Sequence, residues 1–216
     1  MGSQVGYIAD GIFKSQEEVD NHAYQEGAAV GRIRYRDLNG DGMVTEADQD
    51  WIYSPVPAVM YGANFYFEYK GFDLTVFFQG VAGVDVITDL KRETDIWAGL
   101  NIGFLNKGTR LLDAWSPTNP NSNIPALSLS DNNNEKRVST YWVENGSFLK
   151  LRNVQLGYNL PKDISAKMKM ENWRFFVSAQ NVFTIHSKNF TGVDPENPNF
   201  GYPIPLTMTL GTKVTF

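Results

Sequence analysis

Twelve residues, Asp37 to Asp48 (DLNGDGMVTEAD), concentrate oxygen donors at a spacing that suits a hard cation. Asp37, Asn39, Asp41, the carbonyl of Met43, Thr45 directly or through water, and Asp48 fall at positions one, three, five, seven, nine and twelve. Gly42 stands at position six, where such a loop turns sharply. This is the EF-hand spacing, with Asp in place of the usual terminal Glu. Calcium takes six to eight oxygens at about 2.3–2.6 Å, and this run supplies them. The spacing predicts a structural calcium site. The competing reading is a metal-free turn, since Asn-Gly and Asp-Gly form turns unaided.

A calcium sensor needs helices on both sides of the loop and commonly a second hand. The residues before it, GRIRYR, are patterned as extended chain, and no second loop of this kind occurs. The loop is therefore expected to brace a larger body rather than to act as a switch.

No catalytic constellation accompanies it. His22 and His186 have no companions at ligand spacing, and no glycine-rich phosphate loop joins a strand to a helix. Asp194 and Glu196 in DPENP are expected to serve turn chemistry. The chain is not expected to be an enzyme. Trp97, Trp115, Tyr141 and Trp142 fall in one long connection and are candidates for stacking on sugar rings, or for packing that connection on itself or against a partner.

The elements that must carry these residues are strands. Ile204, Leu206, Met208, Leu210, Val214 and Phe216 alternate with polar residues. Trp173, Phe175, Val177, Ala179, Phe183 and Ile185 do the same, broken by Asn181 on the apolar side and Phe176 on the polar side. Residues 58–82 hold two more runs around Tyr69-Lys70-Gly71, and 148–160 a fifth. Such alternation marks strands with one apolar face. In the fifth run Leu149 and Leu151 are out of phase with Val154, Leu156, Tyr158 and Leu160, which predicts a bulge, or a passage from membrane to loop environment, near Arg152. Tyr7 to Phe13 reads as a sixth, shorter strand. Helices are expected only at about 16–25, where Ser15 and Glu18 form a capping box, and near 109–115.

These runs suit tilted membrane-crossing strands, which need about 9–11 residues, better than ordinary soluble strands. Short connections (after Tyr69 and Leu160) alternate with long ones (14–57, 83–146 and 186–203). The pattern predicts an all-β fold: antiparallel strands of a transmembrane β-barrel, with short turns on the periplasmic side, long extracellular loops and short helices in the loops. Five or six strands cannot close such a barrel, which takes at least about eight, so 1–216 is expected to be one segment of it. The alternative fold is a secreted, calcium-stapled β-sandwich module that binds glycans.

Bulk properties agree. The chain of 216 residues has net charge −5 and a pI near 5.1, which argues against a nucleic-acid partner. It has no cysteine, which removes disulfides and thiolate metal sites and fits an exported bacterial protein. Aromatics reach 13% against 20% charged residues. No apolar run is long enough for a membrane helix, and MGSQVGYIADGIF lacks the pattern of a signal peptide.

A series of blocks adds a specific resemblance: GRIRYRDLNGDGMVTEADQ, VMYGANFYFEYKGFDLTVFFQGVAG, DAWSPTNPNSNIPAL, YWVENGSFLKLRNVQLGYNLP, VSAQNVFT, TGVDPE and YPIPLTMTLGTKVTF. In this order, over nearly the whole chain, they resemble the C-terminal part of SusC/RagA TonB-linked outer-membrane proteins of Bacteroidetes. The resemblance implies a 22-stranded barrel with a plugged lumen, located in the outer membrane. It implies import of glycans or peptides with a SusD-like surface lipoprotein, powered through the TonB complex. It also implies that Phe216 closes the signal read by the barrel-assembly machinery. A full member carries a signal peptide, a plug and a TonB-contacting segment; this chain matches the last quarter or so.

Overall fold

A computed structural model describes residues 4–88, 91–92, 108–128, 131–198 and 201–216. The chain divides into two compact units. One comprises residues 1–56, 85–144 and 198–200, the other 57–84, 145–197 and 201–216.

The second unit is one antiparallel sheet. Its strands are β5 (Val59–Tyr69), β6 (Phe72–Ala82), β9 (Phe148–Asn159), β10 (Asn172–His186) and β11 (Thr207–Thr215), in the order β11-β10-β9-β6-β5. Lys70 and Gly71 join β5 to β6 with φ of 48° and 85°, the two positive values a two-residue type I′ hairpin requires. A longer turn holding the helix α2 (Lys162–Lys167) joins β9 to β10. Both short connections lie at one end of the sheet, as the antiparallel order dictates. Strands of nine to fifteen residues agree with the long alternating runs. Among the described residues the sheet does not close on itself; β5 and β11 are its edges.

The predicted bulge is present. Phe77 pairs with Asn153 and Phe78 with Leu151, so Arg152 is the extra residue of β9. The register to β10 slips at the same level, where Asn181 and Val182 face no partner and Asn181 takes φ 55°. Each slip returns the apolar residues to one face. Phe176, the other break in pattern, lays its ring over Gly211: a Cβ there would meet the Phe176 Cζ at 2.4 Å.

The first unit is built from three short strand pairs. β1 (Gln4–Tyr7) pairs with β4 (Gln49–Tyr53), β2 (Ala9–Ile12) with β3 (Ile33–Tyr35), and β7 (Asp85–Ile87) with β8 (Val143–Asn145). The expected strand 7–13 is thus a correction: it contributes to two separate pairs and does not join the large sheet. Ile12, Phe13, Ile33 and Tyr35 are fully buried. The side of β3 away from β2 bonds to side chains instead of another strand. Gln25 accepts from Tyr35 N at 2.9 Å and donates to the Ile33 carbonyl at 2.9 Å, while Glu135 accepts from Ile33 N at 3.0 Å. Arg32 pairs with the same Glu135 at 3.0 Å. Burial raises the Glu135 carboxyl above its ordinary pKa despite that arginine. Much of 14–57 and 83–146, which read as long connections, therefore belongs to a unit with a core of its own.

Helix α1 (Gln16–Asp20) is shorter than the spacing suggested. Ser15 accepts from Glu18 N at 3.2 Å, but Glu18 reaches back to Lys14 N at 2.7 Å instead of closing on Ser15. Residues 109–113 form a single 3-10 turn.

Candidate functional site

The large sheet has two chemically distinct faces. Phe67, Leu74, Leu156, Val177 and Leu210 form one row across all five strands, and Phe65, Val76, Val154, Ala179 and Met208 the next. Between them, on the other face, run Tyr66, Thr75, Gln155, Ser178 and Thr209. A soluble sandwich would cover the apolar rows. Here they stand open, with Leu210 85% and Phe67 59% exposed. Tyr69, Phe72, Tyr158 and Phe175 make a further row at the short-turn end, with Trp173 beyond it. Transmembrane barrels carry such an aromatic band where their wall meets the interface. Thr212 breaks the apolar face, yet its hydroxyl is satisfied: Trp173 Nε1 donates to it at 2.7 Å and it donates to the Arg174 carbonyl at 3.1 Å.

The polar face carries charge in pairs. Arg174 of β10 reaches across β9 to Asp73 of β6, Nε to Oδ1 at 3.0 Å and Nη2 to Oδ2 at 2.5 Å. Gly157 of β9 makes room, since a Cβ there would lie 2.4 Å from Arg174 Nη2. Asn159 adds a bond to Asp73 at 3.3 Å. Nearer the other end, Lys150 is 1% exposed and contacts both Asp194 and Glu196. The sequence assigned those two acids to a turn. They do shape one, with Glu196 N donating to Asp194 Oδ1 at 2.9 Å, but their pairing with Lys150 was missed. The available signal was a pair of basic residues, Lys150 and Arg152, flanking the point where the alternation slips.

The 37–48 loop is closed by its own hydrogen bonds. Asp37 accepts from Gly40 N at 2.7 Å and Gly42 N at 2.8 Å, Asn39 from Asp41 N at 2.8 Å, and Asp41 from Met43 N at 2.8 Å. Gly40 and Gly42 sit at φ 75° and 85°, where a side chain would be strained. Asp48 is fully buried and accepts from Leu38 N at 2.8 Å, Asn39 N at 3.2 Å and Thr45 N at 2.7 Å. The Thr45 hydroxyl completes its shell at 3.4 Å. Burial alone would lift the Asp48 carboxyl, but these donors outweigh it and hold it below the ordinary carboxylate pKa. Both Asp48 oxygens are thus engaged, whereas Asp37 is half-buried and Asn39 and Asp41 are exposed, all three with lone pairs left over. Among the described residues no three His, Cys, Asp or Glu side chains converge as a metal site.

The aromatic candidates separate. Trp142 is 1% exposed, its indole N–H donating to the Glu135 carbonyl at 3.2 Å, so it presents no face to a sugar ring. Tyr141 stacks edge-on against it at 4.8 Å, with Lys91 Nζ 4.4 Å from the Tyr141 ring centre. Trp115 is half-buried, packs over Gly31 and flanks the separate cluster of Leu111, Ala114 and Ile124. Trp97 lies outside the described residues. Phe216 follows β11 and is 89% exposed.

No protein-family model matches the chain. Individual relatives do. A TonB-dependent receptor of Formosa agariphila is 32% identical over 95% of the chain and 22% of its own length. A second from that organism is 31% identical over 100% of the chain and 22% of the relative. The TonB-dependent receptor SusC of Bacteroides thetaiotaomicron is 28% identical over 99% of the chain and 20% of its own length. Among solved structures, the RagAB peptide transporter superposes with a TM-score of 0.77 at 25% identity, covering 99% of the chain and 22% of the matched one. The chain thus spans about a fifth of the length of the curated relatives it matches. With its two-faced sheet and this likeness over its whole length, the chain belongs to the TonB-dependent receptors of the SusC and RagA type, a family of outer-membrane proteins.

Proposed function

We propose that this chain forms wall and rim of the β-barrel of an importer for oligosaccharides or peptides, working with a SusD-like surface lipoprotein and driven through TonB. The observation that carries the proposal is the sheet with one exposed apolar face and one polar face. Lipid accepts only strands whose backbone groups are paired, so the edges β5 and β11 must meet further strands of the same barrel. The apolar rows face lipid and the polar face lines the passage. The short turns face the periplasm, and the long connections, 14–57, 83–146 and 186–203, face the extracellular side. The chain's own role is passive and non-catalytic. The solved relative is a peptide transporter, which supports the peptide arm; for the oligosaccharide arm, Trp115 or Tyr141 would supply the ring contact.

The test uses cells expressing the full-length receptor that contains this segment. Recovery in the outer-membrane fraction, and loss of uptake of the cognate oligosaccharide or peptide on deletion, are expected. A receptor found in the soluble fraction refutes the barrel. The sandwich reading requires that outcome and lacks the covered apolar core it needs.

For the 37–48 loop we propose a structural calcium site. Asp37, Asn39 and Asp41 would supply side-chain oxygens and Met43 its carbonyl. Thr45 and Asp48 would join by loosening their mutual hydrogen bonds. Bound calcium supplies a charge that ties the rim of the loop together. In its absence Asp48 already closes the base.

A further inference from the structure

We propose that residues 187–197, which leave β10 toward β11, form a fixed strap latched onto the polar face of the sheet. They are not a mobile loop. The latch has four charges. Lys150 Nζ lies 2.9 Å from Asp194 Oδ2 and 2.5 Å from Glu196 Oε2, and Arg152 pairs with the other Glu196 oxygen. Lys150 belongs to the polar face because it pairs in register with Gln79 and Thr184. Arg152 lies on the same face, where it also bonds Gln79 at 2.9 Å and Asn181 at 3.3 Å. As the extra residue it keeps the face of Lys150, two positions before it, while the bulge resets the phase for Val154 and the residues beyond.

The strap is shaped before it is latched. Phe190 is buried and its ring lies over Gly192, where a Cβ would meet it at 2.5 Å. His186 stacks edge-on against that ring at 5.2 Å. Asp194 turns the chain by accepting Glu196 N at its side chain and Asn197 N at its carbonyl, both at 2.9 Å, which aims the Glu196 carboxylate back at β9. In the closed strap each of the four charges has a partner of opposite sign, and removing one while the strap is shut leaves its counter-charge uncompensated in a shielded site. That the strap narrows a solute passage rests on the barrel reading; that it is latched does not.

The test is backbone amide exchange in the full-length receptor, purified in detergent. Peptides over 187–197 are expected to be protected, and Lys150→Met is expected to speed their exchange at least tenfold while 37–48 is unchanged. Lys150→Met with Asp194→Asn and Glu196→Gln strands no charge and is expected to recover part of the protection. Heat-dependent gel migration reports whether each variant folds. If Lys150→Met does not, Glu196→Gln, which leaves the Asp194 contact, carries the test with a threefold increase. Exchange of the wild-type strap at the rate of unstructured peptide overturns the proposal, as does unchanged exchange in a folded Lys150→Met or, in its place, Glu196→Gln. A receptor that proves soluble refutes the barrel and leaves this readout intact.

Discussion

Gly157→Ala tests whether the Asp73–Arg174 pair holds the sheet together across β9. The added methyl would sit 2.4 Å from Arg174 Nη2 and 2.5 and 2.6 Å from the two Asp73 carboxylate oxygens. All three atoms belong to the ion pair, so the methyl can be accommodated only by parting it. Asp73 has 8% of its side chain exposed and Arg174 21%. Stranding one member of a fully buried pair costs about 3–5 kcal/mol. Arg174 keeps partial access to water, and a hydrogen bond to a charged group contributes about 1.5–3 kcal/mol, so a cost of about 2–3 kcal/mol is expected. The assay is urea unfolding of the full-length receptor in lipid vesicles, followed by tryptophan fluorescence. The decisive comparison is a cycle with Asp73→Ala. Removing the carboxylate vacates the space the methyl needs, so Gly157→Ala should then cost less than about 1 kcal/mol, giving strong non-additivity. Simple addition of the two costs, or a Gly157→Ala receptor that unfolds like wild type, refutes this account of Gly157.

Asp48 should make the loop acid-sensitive. Its folded pKa is depressed, so the stabilisation is complete above the unfolded value of about 3.9 and is lost as pH falls through the folded pKa; exchange of the Leu38, Asn39 and Thr45 amides should accelerate there and not at pH 5–8. Asp48→Ala should release the same three amides at neutral pH and cost about 1–3 kcal/mol locally; equal exchange in variant and wild type would sink the brace. Asp41→Ala should weaken or abolish calcium uptake measured by isothermal titration, from an expected Kd of about 10⁻⁴–10⁻³ M; no heat of binding in the intact receptor removes the calcium site. Gln25→Ala should destabilise the first unit by about 1–3 kcal/mol, because Tyr35 N loses its acceptor in a buried site while the Ile33 carbonyl keeps only Asn133, and protease sensitivity within residues 4–56 is the readout.

The large sheet was legible because its information is local. Period-two alternation fixes which side chains share a face, and the three breaks each had a physical cause: Arg152 is a bulge residue, Asn181 marks the matching slip in β10, and Phe176 covers Gly211. The first unit was not legible because its strands run only three to five residues, too short for a period to declare itself. Its cohesion comes from side chains outside any strand that complete the backbone bonding of β3: Gln25 from the connection just before it and, about a hundred residues on, Asn133 and Glu135. No spacing rule links such residues. The calcium-type loop falls between these cases. The turn-forming side chains at positions one, three and five were readable from spacing, since each accepts from an N–H a few residues ahead. The role of Asp48 was not, because it depends on burial. A position that looked like the twelfth ligand is where the loop satisfies its own backbone. That alters what the metal would do: it would tighten a rim that is already held at its base, and the brace would persist, weakened, when calcium is withdrawn.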